Sequence, residues 1–282
     1  MTAAVRRNAP RWIPVAAITA MGVLLLVLAL PFAALMARAS PGALLSRLAE
    51  PSVVQALRLS LLTSFAATAI VVVLGIPTAY VLATRDFRGK RLIEVLIDLP
   101  MVLPPTVAGF ALLMAFGRMG LAGQWLRVLG VTLPFTTLGV VLAQAFMAAP
   151  FFIAPVRTGF AGVDPRYLEA AATLRASEVH RFRRIMLPLA LPSVVAGTSM
   201  CAARALGEFG ATITFAGNLP GVTQTMPLAV YVTLQSDLDT AVVLSVLLLA
   251  MSFGLLLGLR AAPGGWWGLR PRAAHPGSSP TR

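Results

Sequence analysis

Two groups of residues in this chain have the types and spacing to do chemical work. The first is the run EAAATLRASEVHRFRRIMLP, Glu169 to Pro188, which sets Glu, Arg, His and Ser between two strongly apolar segments, Leu133–Val156 and Leu187–Ala203. Its charges are spread along helix-forming sequence and do not form the nucleophile, acid/base or metal set that catalysis needs. They suit a surface that another protein grips, or a solvated loop whose charges only fix topology. The second group is Arg204 with Glu208, four residues apart in apolar sequence, so that a continuous helix puts both on one face where they pair. Ionisable groups at membrane depth are expensive and tend to face the bundle interior. This pair reads either as a structural lock between helices or as part of a route for a charged solute.

Little else in the sequence could react. His180 and His275 stand alone, and Cys201 is the only cysteine, in the apolar setting of an inert thiol. No Cys/His metal spacing occurs, and no G-x-x-x-x-G-K-[ST] phosphate loop. The chain is therefore not expected to be an enzyme or to bind a cofactor, and any ATP hydrolysis by that route falls to a partner.

The elements that must position these residues are membrane helices. Of 282 residues, 58% are hydrophobic and 12% charged, against about 25% charged in soluble domains. Apolar runs of about 20 residues span a hydrocarbon core as helix, and their continuity argues against a β-barrel. A net charge of +13 would suit nucleic-acid binding in a soluble protein, a role the apolar content excludes. Six spans are expected: Trp12–Met36, Val53–Leu82, one from Leu92 to Phe116, Leu133–Val156, Leu187–Leu206 and Ala241–Leu259. The first could be a signal peptide with Arg6, Arg7 and Arg11 as its basic region. Its apolar stretch exceeds the roughly 7 to 15 residues of such a region, which favours a retained helix. Pro100, Pro104 and Pro105 cannot all lie in one regular helix, so the third span is expected to be broken.

The domain plan follows. Residues 1–52 hold an N-terminal cytoplasmic segment, the first helix and an external loop. Residues 53–260 form the transmembrane domain with the charged loop at 157–187, and 261–282 an Arg-, Gly- and Pro-rich tail expected to be disordered. Orientation comes from the basic residues. The N-terminus, Arg85–Arg91, Arg157–Arg184 and the tail hold 17 of the 23 Lys and Arg residues, which places both termini and the charged loop in the cytoplasm. The connection 207–240 carries Glu208, Asp237 and Asp239 and no basic residue, and is expected outside.

Within the charged loop, Asp164-Pro165 is a helix start, because Asp caps free N–H groups and Pro suits the first helical position. Ala170, Ala171 and Ala172 offer a small-residue face. Ser177 can cap a second short helix through Met186, and Pro188 and Pro192 mark the return into the membrane. Two short helices at an angle would make a compact cytoplasmic knob.

The loop's spacing resembles the EAA loop of bacterial ABC importer permeases, in which EAA is followed by three residues, Gly, nine residues and I-x-L-P. Here Glu169-Ala170-Ala171 is followed by three residues, Arg175, nine residues and Ile185-Met186-Leu187-Pro188. Only the Gly is replaced, by Arg175, where a left-handed turn would cost Arg about 1 kcal/mol. The run ARALGEFGATITFAGNLPGVTQTMPLAVY, Ala203 to Tyr231, resembles the permeases of oxyanion importers. Its part from Phe215 to Tyr231 is more similar to the molybdate branch than to the sulfate branch. The likeness extends from Val53 to Leu259.

The resemblance implies an all-α integral membrane protein of the type I ABC importer permease fold, in a bacterial inner membrane. It implies a homodimer, two cytoplasmic ATP-binding subunits that hold ATP-Mg, and a periplasmic oxyanion-binding protein. Glu169, Ala170, Ala171, Arg175, Ser177, Leu187 and Pro188 would then couple to the ATPase. Arg204, Glu208, Thr212, Thr214 and Asn218 are candidates for the pathway, although small polar residues in membrane helices also serve packing. The implied function is import of molybdate, and of its congener tungstate. The alternatives are a sulfate or thiosulfate importer, or an ion-coupled secondary transporter, which would show an internal repeat and need no cytoplasmic knob.

Overall fold

The computed structural model describes residues 12–48 and 50–261, all helices and connections, with no strand among the described residues. Arg6, Arg7, Arg11 and the tail from residue 262 onward, with the disorder expected of it, lie outside them. The order is α1 (Trp12–Arg38), α2 (Pro41–Leu48), α3 (Pro51–Thr84), α4 (Lys90–Val102), α5 (Pro105–Phe116), α6 (Gly123–Val128), α7 (Thr137–Ala161) and α8 (Pro165–Thr173). Then come α9 (Glu178–Arg181), a π-helical turn (Phe182–Met186), α10 (Leu187–Leu206), α11 (Gly210–Ala216), α12 (Met226–Leu234) and α13 (Leu238–Ala261).

Five helical stretches are long and apolar enough to cross a membrane: Val15–Arg38, Pro51–Thr84, Thr137–Ala161, Glu178–Leu206 and Leu238–Leu259. The expected third span is divided. Leu103 and Pro104 separate α4 from α5, and Pro105 opens α5 at a position where its missing N–H has no intrahelical role. The α4 half is not uniformly apolar, because it carries Glu94, which pairs with Arg157 of α7 at 2.9 Å, and Asp98. Only the 12-residue α5 is a short apolar helix.

At the centre of the bundle α7 is sandwiched between α3 and α10. Lipid tails are as apolar as leucine, so close fit rather than exclusion of water holds such helices together. Small residues provide that fit. A Cβ on Gly75 of α3 would lie 2.6 Å from the Phe152 ring of α7, and one on Gly197 of α10 would lie 3.0 Å from the Phe152 carbonyl oxygen. Phe152 is fully buried between them, among Ala67, Ala79, Ala148, Ala190, Cys201 and Ala205. By contrast α1 is exposed along its apolar length and packs chiefly against α13.

Candidate functional site

The charged loop is built from ordinary helix chemistry with one strained joint. The Asp164 carboxylate accepts from Arg166 N at 3.0 Å and Pro165 opens α8, as a helix start requires. At the other end Ala176 N donates to Ala171 O at 3.1 Å and Arg175 N to Ala172 O at 2.9 Å. This pair of bonds closes a helix through a left-handed residue, and Arg175 takes that conformation with φ 57°. The residue that replaces glycine therefore keeps the glycine backbone. Ser177 Oγ next accepts from His180 N at 3.2 Å and starts α9.

Two expectations need correction here. The second helix is not a separate short one: Glu178–Leu206 runs unbroken from the charged loop into the bundle. Pro188 and Pro192 lie inside it, and the widened turn Phe182–Met186, in which Leu187 N reaches back to Phe182 O, makes room just ahead of Pro188. A proline ring clashes with the carbonyl four residues back, and a π turn relieves that contact. The alanine face also differs, since Ala171 is buried while Glu169, Ala170 and Ala172 are exposed. The free surface of α8 adds Tyr167 and, just past its end, Leu174, at 58% and 83% exposure.

Sequence reading missed what anchors this segment. Tyr80 of α3 packs edge-on against Phe182 at 4.9 Å and Phe160 of α7 at 6.0 Å, so three aromatic rings clamp the start of the long helix. Phe182, a lone aromatic inside HRFRR, is the signal that could have revealed it. Outside the clamp Arg85 pairs with Glu178 at 2.9 Å, and Lys90 pairs with Asp86, holding the Asp86 carboxyl below its usual range.

At the other end of the long helix α10 stops at Leu206, and the chain turns through Gly207–Phe209 into α11. Arg204 and Glu208 do pair, with Nη1 2.6 Å from Oε2, but across a helix end rather than along a continuous helix. Glu208 Oε1 accepts from Ala211 N at 2.8 Å and so satisfies a free donor at the start of α11. The Arg204 guanidinium stands 6.0 Å from the centre of the Phe151 ring of α7. Glu208, at 1% exposure, is therefore deeply buried rather than on a solvated connection.

The expected polar connection 207–240 folds mostly into the protein. α11 lies against α5 so closely that a Cβ on Gly109 would meet Ala211 O at 2.7 Å, and α12 is tied to α3 by Met226 N donating to Ser60 Oγ at 2.7 Å. Each helix is too short to read as a span, and the acidic residues at both ends of the segment suggested solvent. Of those acidic residues, only Asp237 and Asp239 are exposed. Hydrogen bonds from the Thr240 hydroxyl and backbone N–H hold Asp237 below the usual carboxylate range.

The two threonines of α11 separate. Thr214 Oγ1 donates to Gly210 O at 2.9 Å, the usual inward bond of a helical threonine. Four residues before Thr212 stands Glu208, outside the helix, and the fully buried Thr212 hydroxyl is left without a partner. Asn218 Oδ1 is likewise buried and unpartnered, in the turn that follows Gly217. The structure also brings in Gln144 of α7, fully buried with neither amide atom bonded. It is the only amide side chain in the apolar run Leu133–Val156, a signal that sequence reading passed over.

Comparison with known proteins gives this geometry a family. Residues 72–261 match the family described as binding-protein-dependent transport system inner membrane component. The molybdenum transport system permease protein ModB of Mycobacterium tuberculosis is 42% identical over 252 residues, covering 89% of this chain and 94% of that protein. The Escherichia coli K12 protein of the same name is 43% identical over 183 residues, covering 64% and 80%. A probable molybdenum ABC transporter permease of Haloferax volcanii is 38% identical over 242 residues, covering 85% and 87%. Among solved structures, a bacterial ABC transporter involved in alginate import shares the fold, with TM-score 0.72 at 14% identity over 88% of this chain and 93% of that one. Five membrane-length helices, a helix–turn–helix in the charged loop and this match over two thirds of the sequence lead to one conclusion: the chain belongs to the inner membrane components of binding-protein-dependent transport systems.

Proposed function

We propose that this chain is the permease subunit of an ATP-driven molybdate importer, with tungstate as the congener it would also carry. The observation that carries this reading is likeness, at 42% identity over nearly the full length, to permeases named for molybdenum transport. In the assembly two copies of the chain would share two cytoplasmic ATP-binding subunits with ATP-Mg, and a periplasmic oxyanion-binding protein would deliver the anion. The solved alginate transporter in complex with a pentasaccharide-bound periplasmic protein supports a partner of that kind.

The geometry suits coupling at a distance. The exposed face of α8 with Glu169, Ala170 and Ala172, the Arg175 turn and the Ser177 cap would seat on the ATPase, while Ala171, Leu187 and Pro188 shape the joint behind it. The 29-residue helix Glu178–Leu206 is about 43 Å long at 1.5 Å per residue. A push on its cytoplasmic end, stiffened by the aromatic clamp, arrives at the Arg204–Glu208 elbow. There Arg204 supplies a cation, and Thr212 and Asn218 supply polar atoms without internal partners. Thr214 is committed to its own helix and contributes packing.

The test is uptake by cells that co-express the chain with its ATPase and binding protein, read as cellular molybdenum and tungsten with and without excess sulfate. Accumulation that depends on this chain and resists sulfate is expected. Accumulation of sulfur, with molybdenum uptake abolished by sulfate, would move the substrate to the sulfate group.

A further inference from the structure

We infer that Gln144 is a positioning residue for the buried ion pair: its amide takes over Glu208 when Arg204 turns toward the transported anion. This rests on the reading of the chain as an oxyanion permease.

Register brings Gln144 to the elbow. α7 and α10 run antiparallel, with Gly159 against Ser193 and Gly197 against the Phe152 carbonyl. Each turn gained along α10 is a turn lost along α7. Continuing past Cys201 and Ala148 of the same core cluster, Ala205 and Leu206, the last residues of α10, come level with Ala143–Met147. Around α7, Val141, Ala145 and Ala148 face α3 and α10, whereas Ala143 and Met147 join Ala211 and Phe215 of α11. By helical angle Gln144 falls between those two faces of α7, at the level where α10 ends. Phe151, over which Arg204 stands, is seven residues away and so two turns along the same face.

Electrostatics gives the placement a role. Held by Glu208, Arg204 is neutralised and offers a dianion no net attraction. Released, it would leave a carboxylate at 1% exposure without a counter-charge, which a low-dielectric interior strongly disfavours. Glu208 Oε1 is engaged with Ala211 N, and Oε2 has no aligned donor beyond its proximity to the guanidinium. The Gln144 NH₂ is an uncommitted donor pair on the neighbouring helix. A buried amide left without bonds destabilises the conformation that holds it, a cost that makes sense if a second conformation satisfies it.

The experiment uses the full complex in proteoliposomes, with molybdate-loaded binding protein, in a coupled assay of ATP hydrolysis and anion uptake. Gln144→Met removes the amide at nearly constant volume. The expected result is an unchanged or higher melting temperature with roughly tenfold more ATP hydrolysed per anion moved. In the Gln144→Met background, Glu208→Gln removes the charge that needs holding while keeping an acceptor for Ala211 N, and uptake should recover. Wild-type coupling in Gln144→Met, a fall in melting temperature that accompanies loss of both activities, or no recovery in the double variant would each overturn the inference. The wild-type complex is measured in parallel. If it moves no oxyanion, the transport reading fails first, whereas normal wild-type transport isolates the effect of Gln144.

Discussion

The two ends of the helix Glu178–Leu206 handle charge in opposite ways. At the end joined to the charged loop the Arg85–Glu178 pair has side chains 58% and 65% exposed, and Glu169, Arg175 and Arg183 face solvent. At the inner end Arg204 and Glu208 are 24% and 1% exposed, and Glu208 serves both the guanidinium and a backbone N–H. Water already solvates the first set, so removing a partner there changes little in the fold, and the residues are free to be chosen for what docks on them. The second set sits where an unpaired charge costs several kcal/mol, so its geometry is fixed by the fold itself. One helix thus links a solvated, charged surface to an elbow specified by electrostatics.

The sharpest way to break this contrast is at Glu208. Glu208→Leu leaves Arg204 unpaired and the start of α11 uncapped, and should cost about 3 kcal/mol in melting of the purified chain. Adding Arg204→Met should restore most of that loss, because a removed pair is far cheaper than a broken one. Single-variant stability within about 0.5 kcal/mol of wild type would place Glu208 with the solvated charges. The mirror experiment is Glu169→Lys on the exposed face of α8. It should leave melting within about 0.5 kcal/mol of wild type while uncoupling uptake from ATP hydrolysis at least roughly tenfold. Unchanged uptake would remove Glu169 from the docking surface.

Legibility in the sequence follows the same division. The charged-loop end was readable because its signals are local: Asp164-Pro165, Ser177 and the EAA spacing each act within a few residues. At Arg175 the family's glycine raised a left-handed turn beside the alternative of a slightly different turn, and the structure takes the left-handed one. The continuity of the long helix was not readable, because Pro188 and Pro192 signal an ending, and the π turn that makes room ahead of Pro188 leaves no mark in the sequence. The elbow was half legible. The spacing of Arg204 and Glu208 predicted a pair, but not that α11 folds back onto Gly109 and carries Glu208 into the core. Gln144 and the difference between Thr212 and Thr214 depend on where a helix ends, which is set by long-range packing.

The threonines refine the comparison inside the elbow. Thr212→Val exchanges a buried, unpartnered hydroxyl for a methyl group and should be neutral or stabilising by about 1 kcal/mol. If the hydroxyl meets the anion, uptake falls nonetheless. Thr214→Val breaks only an internal helix bond, beside the close approach at Gly109, and should leave flux per folded complex unchanged. Equal flux effects in the two variants would show that α11 contributes packing alone.

The smallest expected effect lies at the Arg175 turn. Glycine at this position would take φ 57° without steric cost, so Arg175→Gly should gain up to about 1 kcal/mol locally. Gly also loses more freedom on folding, which offsets part of the gain, and the net change in melting should be under about 1 kcal/mol. The informative readout is transport. The Arg175 side chain is exposed at the tip between α8 and the long helix, where charge would serve a partner rather than the turn. If it contacts the ATPase, the glycine variant will melt no lower yet couple less well, and Arg175→Lys, with the charge kept, will recover part of the loss. Full coupling in the glycine variant would mean that only the left-handed backbone matters at this joint, and that the docking surface begins at Glu169 and the exposed alanines.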